Sequence, residues 1–219
     1  RYSRTLVFTQ TELTETEDGM KRREEVRLLL LRSAVRVVTR DGLERTTTKS
    51  LAREAGVNET YIYRCFKNKE DLLRAVLRQE DSDFVEFVLA RLPVLRDASL
   101  DWRERCWRLW KPTWEFILRE PDDCVFYIRY YYSANFRRYA MEEHERLFDE
   151  IRDEIAPVFL PGRRTSVLLH QLFETMLSFA YRVMNGELAD DEETCRLAFE
   201  QIWNFLRPHF REEAEAGVL

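Results

Sequence analysis

The clearest structural signal in the sequence lies in the decisive stretch Thr46–Leu73, TTTKSLAREAGVNETYIYRCFKNKEDLL. Its opening threonines offer N-cap hydroxyls for a short helix that the pattern predicts over 49–55. Gly56 ends that helix, because glycine readily takes the left-handed conformation of a helix C-cap. A second short helix is predicted over 59–66, with an asparagine before it as its cap. Two short helices joined by a glycine-containing turn are typical of a helix-turn-helix unit, so the sequence predicts one here.

The apolar positions of the two short helices fit one shared core. The first helix offers Leu51, Ala52 and Ala55, and the second offers Ile62 and Phe66. This spacing leaves the polar side of the second helix facing outward, where a helix-turn-helix unit meets the major groove of DNA. The residues on that side are Glu59, Thr60, Tyr61 and Arg64.

Helical periodicity extends to both sides of this unit. Upstream, apolar residues between Val26 and Val38 recur at the spacing of an amphipathic helix that starts near Arg22 and stops at Asp41-Gly42. Downstream, Asn68 caps a fourth helix that is predicted to continue towards Leu92. Three helices and the start of a fourth therefore form the predicted N-terminal domain.

The rest of the chain also predicts helices, and six glycines and six prolines in 219 residues favour an all-α fold. The later helices are predicted over 100–119 with a kink at Pro112, 122–136, 138–155, 163–185 and 190–206. We predict three parts: an N-terminal arm (1–19), the helix-turn-helix domain (20–68) and a larger helical domain (69–219). The arm is expected to pack on its own or a neighbouring chain; alternatively, Arg1 and Arg4 reach a DNA minor groove.

Charge is distributed unevenly along the chain. Residues 20–80 contain 15 Lys and Arg against 9 Asp and Glu, whereas residues 81–219 contain 18 against 27. A basic segment joined to an acidic one indicates that only the first part meets a polyanion.

The decisive stretch resembles the DNA-binding domain of the tetracycline-repressor (TetR) family. The family pattern is kept at Thr46-Thr47, Leu51-Ala52, Ala55-Gly56-Val57, Tyr63, Phe66, Lys69-Glu70 and Leu72. The resemblance implies a transcriptional regulator, a repressor that a small hydrophobic or aromatic effector releases from a palindromic operator in double-stranded DNA. Two alternatives stay open: a ligand-independent DNA-binding or protein-recruiting helical dimer of the same fold, and an interaction module that has lost DNA binding.

The resemblance also implies roles for individual residues. Phosphate contacts are implied for Thr47, Tyr63 and Lys69, with Lys49 beside them. Contacts to base edges or adjacent phosphates are implied for Glu59, Thr60, Tyr61 and Arg64. Two positions depart from the family: Cys65 replaces a His or Tyr that often contacts phosphate, and Glu59 puts a carboxylate where relatives carry a small or basic residue.

The larger domain is rich in aromatic residues, which predict either an ordinary core or, as the resemblance implies, an effector pocket. The residues expected to line that pocket are Trp110, Trp114, Tyr130 and Phe173. The last two long helices are apolar on two faces and so need two partners. The resemblance supplies a second copy of the chain as that partner, in a four-helix bundle. The residues expected at this homodimer interface are Met176, Phe179, Phe199 and Trp203.

The sequence argues against an enzyme, because it contains no phosphate-binding loop, no HExxH and no nucleophile at a motif spacing. His144 and its neighbours Glu142, Glu143 and Glu145 predict a solvated helix face. The four scattered cysteines predict reduced, largely buried thiols rather than a metal site, and no cofactor is expected. No apolar run reaches the length of a membrane span, so a cytoplasmic protein is expected.

Overall fold

The computed structural model describes the backbone of residues 10–211 and the side chains of residues 20–211. The helices are α1 (Gln10–Asp41), α2 (Thr48–Ala55), α3 (Thr60–Cys65), α4 (Lys69–Leu89), α5 (Trp102–Leu118), α6 (Pro121–Tyr131), α7 (Met141–Ile155), α8 (Thr165–Met184) and α9 (Glu192–Leu206). In the described range, extended pairing is limited to an isolated bridge between Phe159 and Phe210. The all-α prediction is confirmed. Among the described helices, none has the length and apolarity needed to cross a bilayer.

The start of α1 differs from the prediction. The helix begins at Gln10, not near Arg22, so part of the predicted arm is helical. Residues 10–18 contain neither Pro nor Gly, and their acidic residue types suit the positive end of a helix dipole. The remainder of the arm, residues 1–9 with Arg1 and Arg4, lies outside the described residues.

The chain divides into two compact units, an N-terminal unit that ends at Val76 and a C-terminal unit that begins at Leu77. The division falls inside α4, whereas the sequence placed a domain boundary after residue 68. Helix α4 therefore contributes residues to both units.

The core of the N-terminal unit joins α1, α2 and α3. Leu51 and Ile62 are completely buried, and Ala52 and Phe66 are nearly so, which confirms the shared core of the two short helices. Ala55 is only half-buried. The buried stripe of α1 also matches the prediction, except that Leu29 is 46% exposed.

The C-terminal unit contains the second part of α4 and helices α5 to α9. Pro112 lies inside α5 as predicted. Helix α6 ends at Tyr131 instead of continuing to residue 136, because the Ser133 hydroxyl donates to the Tyr130 carbonyl (2.6 Å) and accepts from the Phe136 amide (3.2 Å). Such local side-chain bonds compete with helix continuation. A π-helical turn, Phe136–Ala140, then leads into α7.

Candidate functional site

Local capping sets the geometry of the α2–turn–α3 unit. The Thr47 hydroxyl accepts from the Ser50 amide (3.1 Å) while the Ser50 hydroxyl accepts from the Thr47 amide (2.9 Å), which forms a capping box at α2. Gly56 ends α2 at φ +68°, a conformation in which a side chain is strained. Asn58 Oδ1 accepts from the Thr60 amide (3.0 Å), so the turn delivers the chain directly into α3.

Helix α3 has one buried and one exposed side. Ile62 and Phe66 anchor it in the core of the N-terminal unit. Thr60, Tyr63 and Arg64 are exposed on the other side, and the Tyr63 side chain is 59% exposed. An aromatic ring of that size on the surface of so short a helix is available for contact with a partner.

Tyr61 and Glu59 are less free than their neighbours. The Arg64 guanidinium lies 5.1 Å from the centre of the Tyr61 ring, in a cation–π contact that leaves the tyrosine half-buried. The Glu59 carboxylate is exposed but accepts a hydrogen bond from the Thr48 hydroxyl of α2. Both side chains are therefore oriented by contacts inside the unit before any partner binds.

The four residues expected at phosphates occupy different settings. Thr47 and Lys49 are exposed at the start of α2, and Tyr63 is exposed on α3. Lys69 is half-buried, and its ammonium donates to the carbonyl of Thr46 (2.8 Å). One of the three Lys69 protons thus fixes the start of α4 beside the start of α2, and two remain for another acceptor.

Sequence reasoning missed Arg23 of α1. Its guanidinium donates to the Arg64 carbonyl at 2.7 Å, and the Cys65 thiol lies 4.0 Å from the Arg23 carbonyl. A cation at the carbonyl end of α3 is favourable for the helix dipole. The basic run Lys21–Arg23 was the available signal in the sequence. The Cys65 thiol is thus directed at α1.

The C-terminal unit contains a partly open cavity of about 580 Å³. Of the four residues expected at an effector pocket, Trp110 and Phe173 line this cavity. Trp114 and Tyr130 do not: they are buried in the surrounding core, where Trp114 stacks on Trp110 (ring centroids 6.0 Å apart) and Tyr130 stacks on Phe126 (6.0 Å). Most of the wall is apolar or aromatic, which is usual for small-molecule sites.

His144 also lines this cavity, which corrects the expectation of a solvated face at this position. The ring is buried, and its Nδ1–H donates to Oδ2 of the buried Asp81 (3.0 Å). The Tyr127 hydroxyl donates to the other oxygen of Asp81 (2.7 Å). Burial and the Asp81 carboxylate raise the pKa of Tyr127 well above its usual value, so the hydroxyl remains a donor. Asp81 and His144 are 63 residues apart in the sequence, so no local sequence pattern connects them.

Three of the four residues expected at a dimer interface lie in the chain's own core. Met176, Phe179 and Phe199 are at most 5% exposed, and Phe199 packs edge-on against Trp107 (5.0 Å). Their side chains are already covered by this chain and are not available to a second copy. The fourth, Trp203, is half-buried. The large apolar residues exposed on α8 and α9 are instead Val167, Tyr181, Leu197 and Phe205.

The cysteines and acidic groups of the described residues form no cluster suited to a metal ion. All four thiols are free; Cys124 and Cys195 are buried, and Cys65 and Cys106 are half-buried. Burial raises the pKa of both Cys106 and Cys124 to about 12, so neither is a reactive thiolate at neutral pH.

Comparison with known proteins agrees with this architecture. An uncharacterized HTH-type transcriptional regulator of Bacillus subtilis, YvkB, is 41% identical over 54 residues, which are 25% of this chain and 29% of that protein. The chain thus spans less than a third of that relative's length. The DNA-binding transcriptional repressor TetR of Mycobacteroides abscessus is 29% identical over 200 residues, 83% of this chain and 94% of that protein.

The fold is shared with solved structures. The transcriptional regulator FadR of Bacillus subtilis, solved in complex with stearoyl-CoA, superposes with a TM-score of 0.61 at 19% identity, over 80% of this chain and 96% of that chain. Residues 30–76 match the family model of bacterial regulatory proteins, tetR family. These residues include all of α2 and α3 and the turn between them. Over residues 30–76 the chain is therefore similar to the tetR family of bacterial regulatory proteins.

Proposed function

We propose that this protein is a transcriptional regulator that binds duplex DNA through the exposed side of α3. The observation that carries the proposal is the pairing of buried Ile62 and Phe66 with exposed Thr60, Tyr63 and Arg64 on one short helix. Such a helix is held rigidly by its own domain while its polar side enters the major groove. The net positive charge of residues 20–80 supports the same partner.

The proposed contacts divide into two classes. Thr47, Lys49, Tyr63 and Lys69 bind phosphates, which sets affinity and register. Thr60, Tyr61 and Arg64 meet base edges, and Glu59 accepts from a cytosine amino group with the oxygen that Thr48 leaves free. The affinity that comes from phosphate contacts falls as the salt concentration rises, whereas the base-edge contacts make the affinity depend on the DNA sequence.

These two classes can be separated by fluorescence anisotropy on fragments selected from the source genome. Lys49→Ala should weaken binding to every fragment by a similar factor and lower the slope of log Kd against log salt by about one. Arg64→Ala should change the ranking of fragments. The control is Arg138→Ala, an exposed arginine of the C-terminal unit, which should change neither quantity. A parent protein that binds no duplex DNA at low salt would contradict the proposal.

We propose further that the regulator is a homodimer that reads a palindromic operator. Exposed Val167 and Tyr181 on α8 and Leu197 and Phe205 on α9 give two neighbouring helices an uncovered apolar side, which supports pairing with a second copy. In sedimentation, Leu197→Glu should yield monomers with weak operator binding. The matched control Tyr139→Glu changes an aromatic residue that is 40% exposed elsewhere in the same unit, and it should stay dimeric. Dimers that persist in Leu197→Glu would contradict this interface.

The cavity of about 580 Å³ supports regulation by a small hydrophobic or aromatic effector that releases the repressor from DNA. FadR, which shares this fold, was solved in complex with stearoyl-CoA, and this supports effector binding by the C-terminal unit of the present chain. Ligand binding acts by favouring one conformation of the dimer over another. The ligand-independent alternative predicts DNA binding that persists across a broad panel of lipophilic and aromatic compounds. Loss of DNA binding with any member of that panel would reject it.

A further inference from the structure

One end of the cavity carries a buried polar relay. The Asp81 carboxylate is 1% exposed, and it accepts from the Tyr127 hydroxyl and from Nδ1–H of His144. Two donors on two oxygens compensate the burial of this charge. They also fix the His144 ring, because a carboxylate oxygen can only accept and so requires the proton on Nδ1.

The other nitrogen of His144 is available to a ligand. Within the described residues, Nε2 makes no hydrogen bond, and the imidazole is a lining residue of the cavity. Aromatic rings surround it: Phe148 at 4.4 Å between ring centroids, Phe136 at 5.3 Å and Tyr131 at 5.7 Å. In the tautomer with the proton on Nδ1, Nε2 is a hydrogen-bond acceptor among these aromatic side chains.

The charges around this end of the cavity are negative. Asp81 lies directly behind His144, and Glu174 accepts from the hydroxyls of Tyr131 (3.2 Å) and Tyr132 (2.7 Å). Arg152 is the one Lys or Arg among the lining residues, and its guanidinium contacts Asp149 at 2.6 Å. The other basic lining residue besides His144 is His170, whose Nε2 lies 3.8 Å from a Glu174 carboxylate oxygen. A ligand carboxylate at His144 would therefore face like charges without a free cation to offset them.

We propose that the cavity takes an aromatic or aliphatic molecule with one hydroxyl group, a phenol or an alcohol, that donates its hydrogen bond to Nε2 of His144. The proposal rests on the proposed function in treating the cavity as the effector site. In this proposal the hydrogen bonds that join Tyr127, Asp81 and His144 orient the His144 ring so that Nε2 can accept from the ligand. The hydroxyl is recognised by one hydrogen bond, and the remainder of the molecule is recognised by the apolar wall.

Three probes of similar size test the assignment by titration calorimetry on the full chain without DNA. They are 4-hexylphenol, which donates; 4-hexylanisole, which has the oxygen but no donor; and 4-hexylbenzoate, which is anionic. The phenol should bind roughly five- to tenfold more tightly than the anisole, the effect of one neutral hydrogen bond, and the benzoate should bind most weakly. Equal Kd values for phenol and anisole, or a preference for the benzoate, would overturn the proposal.

Two substitutions test whether His144 is responsible for the preference for the phenol over the anisole. His144→Asn keeps an N–H for Asp81 but removes the group that reaches the ligand, so the preference for phenol over anisole should disappear. Thr113→Val is the control, because Thr113 lines the same cavity and its hydroxyl already donates to the Leu109 carbonyl (2.7 Å). It should leave the ratio unchanged. A preference that survives His144→Asn would overturn the assignment.

A spectroscopic measurement needs no substitution. In protein labelled with ¹⁵N-histidine, 4-hexylphenol should shift the Nε2 resonance of His144, and 4-hexylanisole should leave it nearly unchanged. A Nε2 resonance that does not respond to bound phenol would overturn the proposal. Because all these measurements omit DNA, a protein that prefers the phenol but ignores DNA would contradict the proposed function alone. A protein that binds DNA but shows no such preference would contradict this inference alone.

Discussion

The surroundings of Glu80 on α4 disfavour the ionised form of its carboxyl group. Burial, followed by the nearby carboxylates of Asp123 and Asp83, raises the pKa of Glu80 to about 8 from 4.5. Between these values the native protein keeps a proton that the unfolded chain releases. The free energy of unfolding should therefore fall as pH rises from about 4.5 to 8 and level off above that. The full pKa difference corresponds to a loss of about 5 kcal/mol in the free energy of unfolding. Because the Glu80 side chain is only partly buried, we expect a loss of about 2 kcal/mol.

Urea unfolding at pH 5, 6.5 and 8, at one protein concentration, measures this effect. Glu80→Gln cannot ionise, so it should match the parent at pH 5 and exceed its stability by about 2 kcal/mol at pH 8. Glu86→Gln changes an exposed carboxylate of the same helix and should retain the pH dependence of the parent. Parallel stability curves for the parent and Glu80→Gln would show that the Glu80 carboxyl ionises equally in the folded and unfolded protein, contrary to this prediction.

Three further substitutions test the local structure by thermal and urea unfolding. Gly56→Ala should cost about 1 kcal/mol, because φ +68° strains a side chain although nothing lies within 4 Å of its Cβ; an unchanged midpoint would contradict this. Ile62→Ala should cost about 2–4 kcal/mol, since the side chain is completely buried, and should weaken DNA binding with it. Asp191→Ala should cost about 1 kcal/mol by removing the acceptor for the Thr194 amide (2.9 Å) at the start of α9; no loss would contradict its role as a cap.

The helix-turn-helix could be predicted from sequence because its determinants are local. Gly56, Asn58 and the threonines before α2 each bond to a neighbour within four residues, and the structure shows those bonds. The outward side of α3 followed directly from the burial of Ile62 and Phe66. Helix ends were harder to predict where a side chain competes with the backbone, as Ser133 does after α6.

The cavity could be predicted only in part, because its chemistry depends on distant residues. A stripe of aromatic residues on one helix does not distinguish a cavity wall from a filled core: Trp110 lines the cavity, whereas Trp114 is buried beside it. His144 looked solvated beside its acidic neighbours, and only the fold brings Asp81 to it from α4. The same limit applies to the residues expected at a dimer interface. When a helix is apolar on two sides, the sequence does not reveal which side is covered by its own chain, and Met176, Phe179 and Phe199 lie on the covered side.

Photo-crosslinking from the exposed side of α3 tests whether that side of the helix touches DNA. The probe is p-benzoylphenylalanine in place of Tyr63, with the same replacement at Tyr139 of the C-terminal unit as the comparison. Irradiation of each protein with a selected duplex fragment should give a protein–DNA crosslink from position 63 and none from position 139. DNA that is bound but crosslinks only from position 139 would contradict the account.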